Sequence, residues 1–204
     1  SRVYVQLDEP FSYEAWIRGL GAGRSFVSTG PMLLVQLDNQ WPGHFFPPFS
    51  PLRRAAGAEE LRRLIRLTGR TVSERPLRLI ECVANGRVIA TIIPQNQRTA
   101  DGAYATRLDT PLNISTIDSS WITVRCWEDR PGGRFRFAHT APWHFPVEGR
   151  PNRPYRQEID WLISRVKNEI NRNRDVLPTA ALDEFRQSLS IYEEISRRAV
   201  EIDP

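Results

Sequence analysis

The stretch Leu77–Ile93, LRLIECVANGRVIATII, decides the fold class. Two β-rich runs flank Asn85-Gly86, and that dipeptide is the strongest short signal for a two-residue hairpin, because both positions accept positive φ. Working outward, the pattern repeats. Tyr104 to Leu108 and Leu112 to Ile117 alternate and are separated by Asp109-Thr110-Pro111, while Ser120 to Trp127 and Phe135 to Ala138 flank Gly132-Gly133. Short strands at this spacing predict an antiparallel β-sandwich over residues 32–150. Upstream, Met32 to Asp38 is an apolar strand, and the proline- and phenylalanine-rich run Trp41 to Leu52 reads as a loop over an apolar surface. Ala55 to Thr68 carries two signals: helix-forming composition in AAGAEELRRLIRL, and strand alternation at Leu61, Arg63, Ile65 and Leu67. We assign it to strand.

Both ends of the chain depart from the strand period. Val3 to Leu7 alternates, and Ser12 can cap a helix with Glu14 in its first turn. Tyr13, Trp16, Ile17 and Leu20 recur at helical spacing, and Gly19, Gly21 and Gly23 offer a left-handed end. Ser25 to Ser28 follows as a strand, then the turn Thr29-Gly30-Pro31. Residues 1–31 thus read as a β-α-β unit with parallel strands. At the far end, residues 151–204 read as two helices. Ile159, Leu162, Ile163, Val166 and Ile170 stripe the first; Leu182, Phe185, Leu189, Tyr192 and Ile195 stripe the second, with Thr179 as its cap. The short connection predicts an antiparallel helical hairpin packed on the sandwich. The fold class is therefore mainly β with α: an antiparallel β-sandwich carrying an N-terminal β-α-β remnant and a C-terminal helical pair.

Composition narrows the function classes. The 204 residues are 40% hydrophobic and 10% aromatic, enough for a packed core. The net charge of +4 is the balance of 28 basic and 24 acidic residues, and Lys167 is the one lysine. No basic block stands free of acidic neighbours, so neither nucleic acid nor a membrane surface is an expected partner. Cys82 and Cys126, 44 positions apart, fit no zinc motif and no disulfide framework. A single bridge would require their two strands to be neighbours. No apolar run approaches the roughly 20 residues of a membrane helix.

Motifs of complete catalytic sites are missing: there is no G-x-S-x-G elbow, P-loop or dinucleotide fingerprint. The histidines are His44, His139 and His144; His139 reads as a hydrogen-bonded residue at a strand end and His44 as part of a packed loop. Arg24 reads as a cap on helix carbonyls. Trp41, Trp127 and Trp143 raise an alternative, a stand-alone β-sandwich module binding carbohydrate or a protein partner, since indoles stack on apolar sugar faces.

Arg2-Val3-Tyr4-Val5, the run Trp16 to Arg24, and Ser25 to Pro31 resemble the closing segment of the carbaryl-hydrolase-like (CehA/McbA) branch of the PHP metallohydrolases. Trp121-Ile122-Thr123-Val124-Arg125 and Phe137-Ala138-His139-Thr140-Ala141-Pro142 are similar to later motifs of that family. The family's metal sits in a β/α barrel, on His and Asp/Glu residues that precede the segment matched here. The resemblance implies that this chain has no metal ligands and no catalytic residues of its own, and is the C-terminal portion of a divalent-metal hydrolase. Its partner would be the N-terminal barrel region of the parent protein. Thr29, Gly30 and Pro31, at the end of a barrel strand, and His139 would then line or rim the pocket. Without the barrel, the Tyr13/Trp16/Leu20 face and the Val3–Leu7 strand would be uncovered unless they fold back on the sandwich or form a homodimer through the N-terminal unit.

Overall fold

The computed structural model describes residues 1–50, 62–115 and 117–201, and it divides into two compact units, Ser1–Pro151 and Asn152–Pro204. The first unit is built on two antiparallel sheets. One has the order β1 (Arg2–Val5), β2 (Ser25–Ser28), β10 (Phe135–Thr140), β9 (Ser120–Asp129), β5 (Leu77–Ala84), β6 (Arg87–Ile92), with β11 (Trp143–Phe145) also paired to β9. The other has the order β3 (Met32–Leu37), β4 (Arg62–Ser73), β8 (Tyr104–Ser115), β7 (Gln97–Arg98). Side chains of both sheets meet in a single buried cluster. Leu33, Val35, Ile65, Leu67, Leu108 and Leu112 come from the second sheet; Phe26, Ile80, Val124, Cys126, Ala138 and Trp143 come from the first. Alternate residues of β3, β4 and β8 point into this layer, the arrangement expected of a sandwich.

The Asn85-Gly86 hairpin forms as the sequence requires, with φ of 47° and 80° at its two residues. Residues 62–68 of the ambiguous stretch belong to β4, and residues 55–61 lie outside the described residues. One strand break is absent: Tyr104 to Ser115 runs unbroken, and Pro111 stands opposite Arg66 inside it. Proline is tolerated there because, among the described residues, β7 covers only the Tyr104–Ala105 end of β8 and no strand pairs with the edge at Pro111 that would need the missing N–H.

Helix α1 (Tyr13–Gly21) starts as expected, with the Ser12 side chain accepting a hydrogen bond from the Ala15 N–H. Gly23, at φ 70°, takes the left-handed position just past its end. The parallel pairing expected of β1 and β2 does not form. The two are antiparallel, with Arg2 opposite Ser28 and Val5 opposite Ser25. The cause lies at the end of α1. A Cβ on Gly19 would fall 2.6 Å from Val5 Cγ1, so the helix closes on the end of β1. Arg24 N–H then donates to the Gly19 carbonyl, and Gln6 N–H donates to that of Arg24 at 2.8 Å. The chain therefore re-enters the sheet where it left, and β2 must run back along β1. The helix buries Ala15 and Gly19 and leaves Tyr13 and Ile17 exposed, while Trp16 and Leu20 are half-buried.

In the second unit α2 (Arg156–Asn173) and α3 (Thr179–Ser196) are antiparallel. Arg156 at the start of α2 hydrogen-bonds Ser196 at the end of α3 at 2.7 Å, and Lys167 lies 3.5 Å from Glu193. Ile159 and Leu182 are the buried residues of the two predicted stripes. Thr179 is the first helical residue of α3, with Pro178 in the cap position, so no side-chain cap forms.

Candidate functional site

The runs Ser25–Pro31 and Phe137–Pro142 meet in space. In the β2–β10 ladder Ser28 pairs with Ala138, Val27 with His139 and Phe26 with Thr140, and Ala141 N–H extends it by donating to the Ser25 carbonyl at 2.8 Å. The Thr29 N–H donates to the Phe137 carbonyl at 2.9 Å, and its Oγ1 accepts from the Phe137 N–H at 2.8 Å. The Ser28 hydroxyl donates to the Pro31 carbonyl and accepts from the Gly30 N–H. Gly30 lies under Arg136, whose Cδ would be 2.5 Å from any Cβ added there, and Pro31 is fully buried. Thr29, Gly30 and Pro31 are thus held by a neighbouring strand, and none of them lines the clefts described below.

His139 sits in a row that crosses the same sheet: Val3, Val27, His139, Arg125, Glu81 and Thr91 are successive register partners. Arg125 pairs with Glu81 at 2.8 Å and lies over the Trp127 ring, 4.9 Å from its centroid. His139 Nδ1 is 2.7 Å from the Thr140 carbonyl. Burial holds the imidazole below its ordinary value; the carbonyl contact opposes this, and the Arg125 charge adds to it. The other two histidines are elsewhere. His44 meets the Phe46 ring edge-on at 4.7 Å, and His144 stacks on Phe45 at 4.1 Å. Their backbones are joined, His144 N–H donating to the His44 carbonyl, yet their rings face different aromatic partners. Among the described residues no group of three or more His, Cys, Asp or Glu could hold a metal ion.

A cleft the sequence did not reveal opens at the end of α1. It has a volume of about 350 Å³, with Asp8, Arg24, Gln40, Trp41 and His44 in its lining. Arg24, Trp41 and Pro42 also line an adjoining cavity of about 160 Å³ against Tyr4, Phe26 and Leu33. Arg24 forms an ion pair with Asp8, so its guanidinium faces the cleft and is not a cap on the helix carbonyls. The cleft floor is set from below: the fully buried Trp143 donates its indole N–H to the Gln40 carbonyl at 2.8 Å. A half-buried indole beside an ion pair, an amide and an imidazole can stack on and hydrogen-bond a small polar ligand. Among the described residues no hydroxyl or thiol lines the cleft for His44 to activate. The three tryptophans do not form one platform, since Trp143 belongs to the core and Trp127 to the Arg125 row.

Cys82 and Cys126 are free and buried. Their strands β5 and β9 are neighbours, but Cys82 stands opposite Val124 and Cys126 opposite Ile80. This two-residue offset puts the pair on a diagonal of about 7–8 Å, beyond disulfide reach. Burial pushes each thiol up to about 12.

No family model matches this sequence, and no curated protein or solved structure is similar enough to count as a match.

Proposed function

We propose that this chain is the non-catalytic C-terminal portion of a PHP-like metal-dependent hydrolase, docking on that protein's barrel through the β1–α1 end of the first sheet. The observation that carries the reading is the β2–β10 ladder. Two family-like runs, linked by Thr29 and Phe137 across 108 residues, form one hydrogen-bonded unit. A shared motif pair that builds a single structural feature is what a common architecture would preserve. The apolar surface agrees with a docking role: Val3 and Val27 lie opposite each other at the open sheet edge, and Phe11, Tyr13 and Ile17 are 77%, 68% and 44% exposed beside it.

The reading frame upstream of Ser1 tests this. An HxH-bearing β/α region is the expected finding, and a start codon adjoining Ser1 overturns the reading. The purified chain is further expected to hydrolyse no ester or phosphoester with any divalent metal. Chelator-sensitive turnover that a mock preparation lacks would count against it.

The Trp41 cleft favours a second reading, a β-sandwich module that binds carbohydrate. An indole face supplies stacking, and Asp8, Arg24, Gln40 and His44 supply the planar polar groups that hydroxyls need. Here a glycan screen should find a neutral ligand whose binding Trp41→Ala abolishes; a ligand retained by that variant excludes this cleft as the site.

A further inference from the structure

Arginines scattered through the sequence converge on the outward face of the second sheet. Along β4 the core-facing residues Ile65, Leu67 and Thr71 alternate with exposed Arg62, Arg66 and Arg70. At the strand rise of about 3.3 Å per residue, these three stand about 13 Å apart in a line. On β8, Arg107 is directly opposite Arg70, and Asp109 is beside it. Asp109 pairs with Arg66. Among the described residues no carboxylate lies within salt-bridge distance of Arg70 or Arg107; Asp109, bonded to Arg66, offsets part of the Arg107 charge from farther away. Like charges placed directly opposite each other destabilise a sheet, so the Arg70–Arg107 pair is a local cost in the free protein that a bound anion would relieve. Nothing in the core requires it, because both side chains are exposed.

We propose that this face binds a linear acidic polysaccharide, its carboxylate or sulfate groups taken by Arg70 and Arg107 and the chain running along β4 past Arg66 to Arg62. Guanidinium forks suit such oxyanions better than ammonium groups do. A line of cations, and not a compact knob, fits a polymer. Among the described residues of β3, β4, β7 and β8 the one aromatic, Tyr104, stands at the core-facing parity of β8 with Thr106 and Leu108, so these strands offer the arginine face no ring to stack nucleobases, which disfavours single-stranded nucleic acid. This inference rests on the sheet face alone and is independent of the functional reading above.

The test uses the full chain with dextran sulfate, polygalacturonate, neutral dextran, duplex DNA and phosphatidylglycerol vesicles. Both acidic polysaccharides should bind at low salt and neutral dextran should not, with affinity falling as salt rises. The double variant Arg70→Gln/Arg107→Gln should lose roughly tenfold or more in affinity, since charge-assisted hydrogen bonds are lost. A control, Arg186→Gln/Arg198→Gln on the second unit, should bind as the parent does. Without ligand, the Arg70/Arg107 variant should melt about 1–3 °C higher, because the opposed charges are gone. Equal binding by that variant, an equal loss in the control, binding confined to DNA or vesicles, or a lowered melting temperature each overturns the proposal.

Discussion

Gly23 and Gly43 touch backbone to backbone. A Cβ on Gly43 would fall 2.7 Å from the carbonyl carbon of Gly23, and one on Gly23 would fall 3.1 Å from the Cα of Gly43. Gly43 also has φ 85°, a left-handed conformation that side chains resist. Gly43→Ala should therefore destabilise the protein by about 2–4 kcal/mol, combining strain with a collision against fixed backbone. Gly21 gives the contrast: it ends α1 with nothing within 4 Å of an added Cβ. Gly21→Ala should gain about 0.5–1 kcal/mol through the entropy of the unfolded chain. Urea denaturation of the two variants checks both signs.

Glu128 is fully buried at the end of β9, where it accepts from the Arg75 N–H at 3.1 Å and from Arg130 at 3.3 Å. Arg130 continues to Glu74, and Glu74 to Arg136 over Gly30. Glu128→Ala takes the buried partner from a largely buried guanidinium, leaving it only the exposed Glu74, and strands the Arg75 N–H; it should cost about 3 kcal/mol in the same measurement. Glu74→Ala, which removes an exposed and solvent-screened partner, should leave the urea midpoint nearly unchanged.

His139 and His144 are both held below the ordinary imidazole value of 6.5, in each case chiefly by burial. The folded protein thus prefers the neutral rings, and the unfolded chain takes up protons that the folded one refuses. That contribution to stability is complete above about pH 6.5 and is lost progressively as the pH falls toward the depressed folded values. Melting temperatures recorded on either side of pH 6.5 should show the decline, and His139→Gln should make it shallower. A decline of unchanged slope in that variant would assign the effect to other groups.

Cys82 and Cys126 should be inert in the folded state, because burial pushes both thiols up to about 12 and leaves almost no thiolate at neutral pH. A chromogenic disulfide reagent should react with neither until denaturant is added, and then with both. Reducing agent should leave the melting temperature unchanged, as no bridge spans the diagonal between them.

The parts of this fold that local chemistry controls were legible from residues alone. Asn85-Gly86 had to turn, Ser12 had to cap, and one of Gly19, Gly21 and Gly23 had to end α1, the structure giving that place to Gly23. The errors came where a neighbour decides the outcome. Pro111 looked like a strand break, but it is harmless on an edge that β7 leaves uncovered. The strand–helix–strand start suggested parallel pairing, and only the closure of Gly19 on Val5 reveals that β2 must return antiparallel. The Trp41 cleft depends on the Gly23–Gly43 contact and on Trp143 reaching the Gln40 carbonyl, and sequence spacing carries neither. The arginine row was hidden for a simpler reason: Arg70 and Arg107 are far apart in sequence and opposite only in the register of β4 and β8.

The Thr29–Phe137 link has a consequence for how the chain is made. β2 finds its inner neighbour only after 108 further residues exist. At roughly 5–20 residues per second of synthesis, that delay is on the order of 10 s. Through that interval β2 and Phe26 lack β10, the strand they pair with on their inner side. Pairing over such separations is also slow to nucleate. The early half of this polypeptide therefore waits for the late half, and a ribosome paused before residue 137 would hold β2 with its inner edge unpaired.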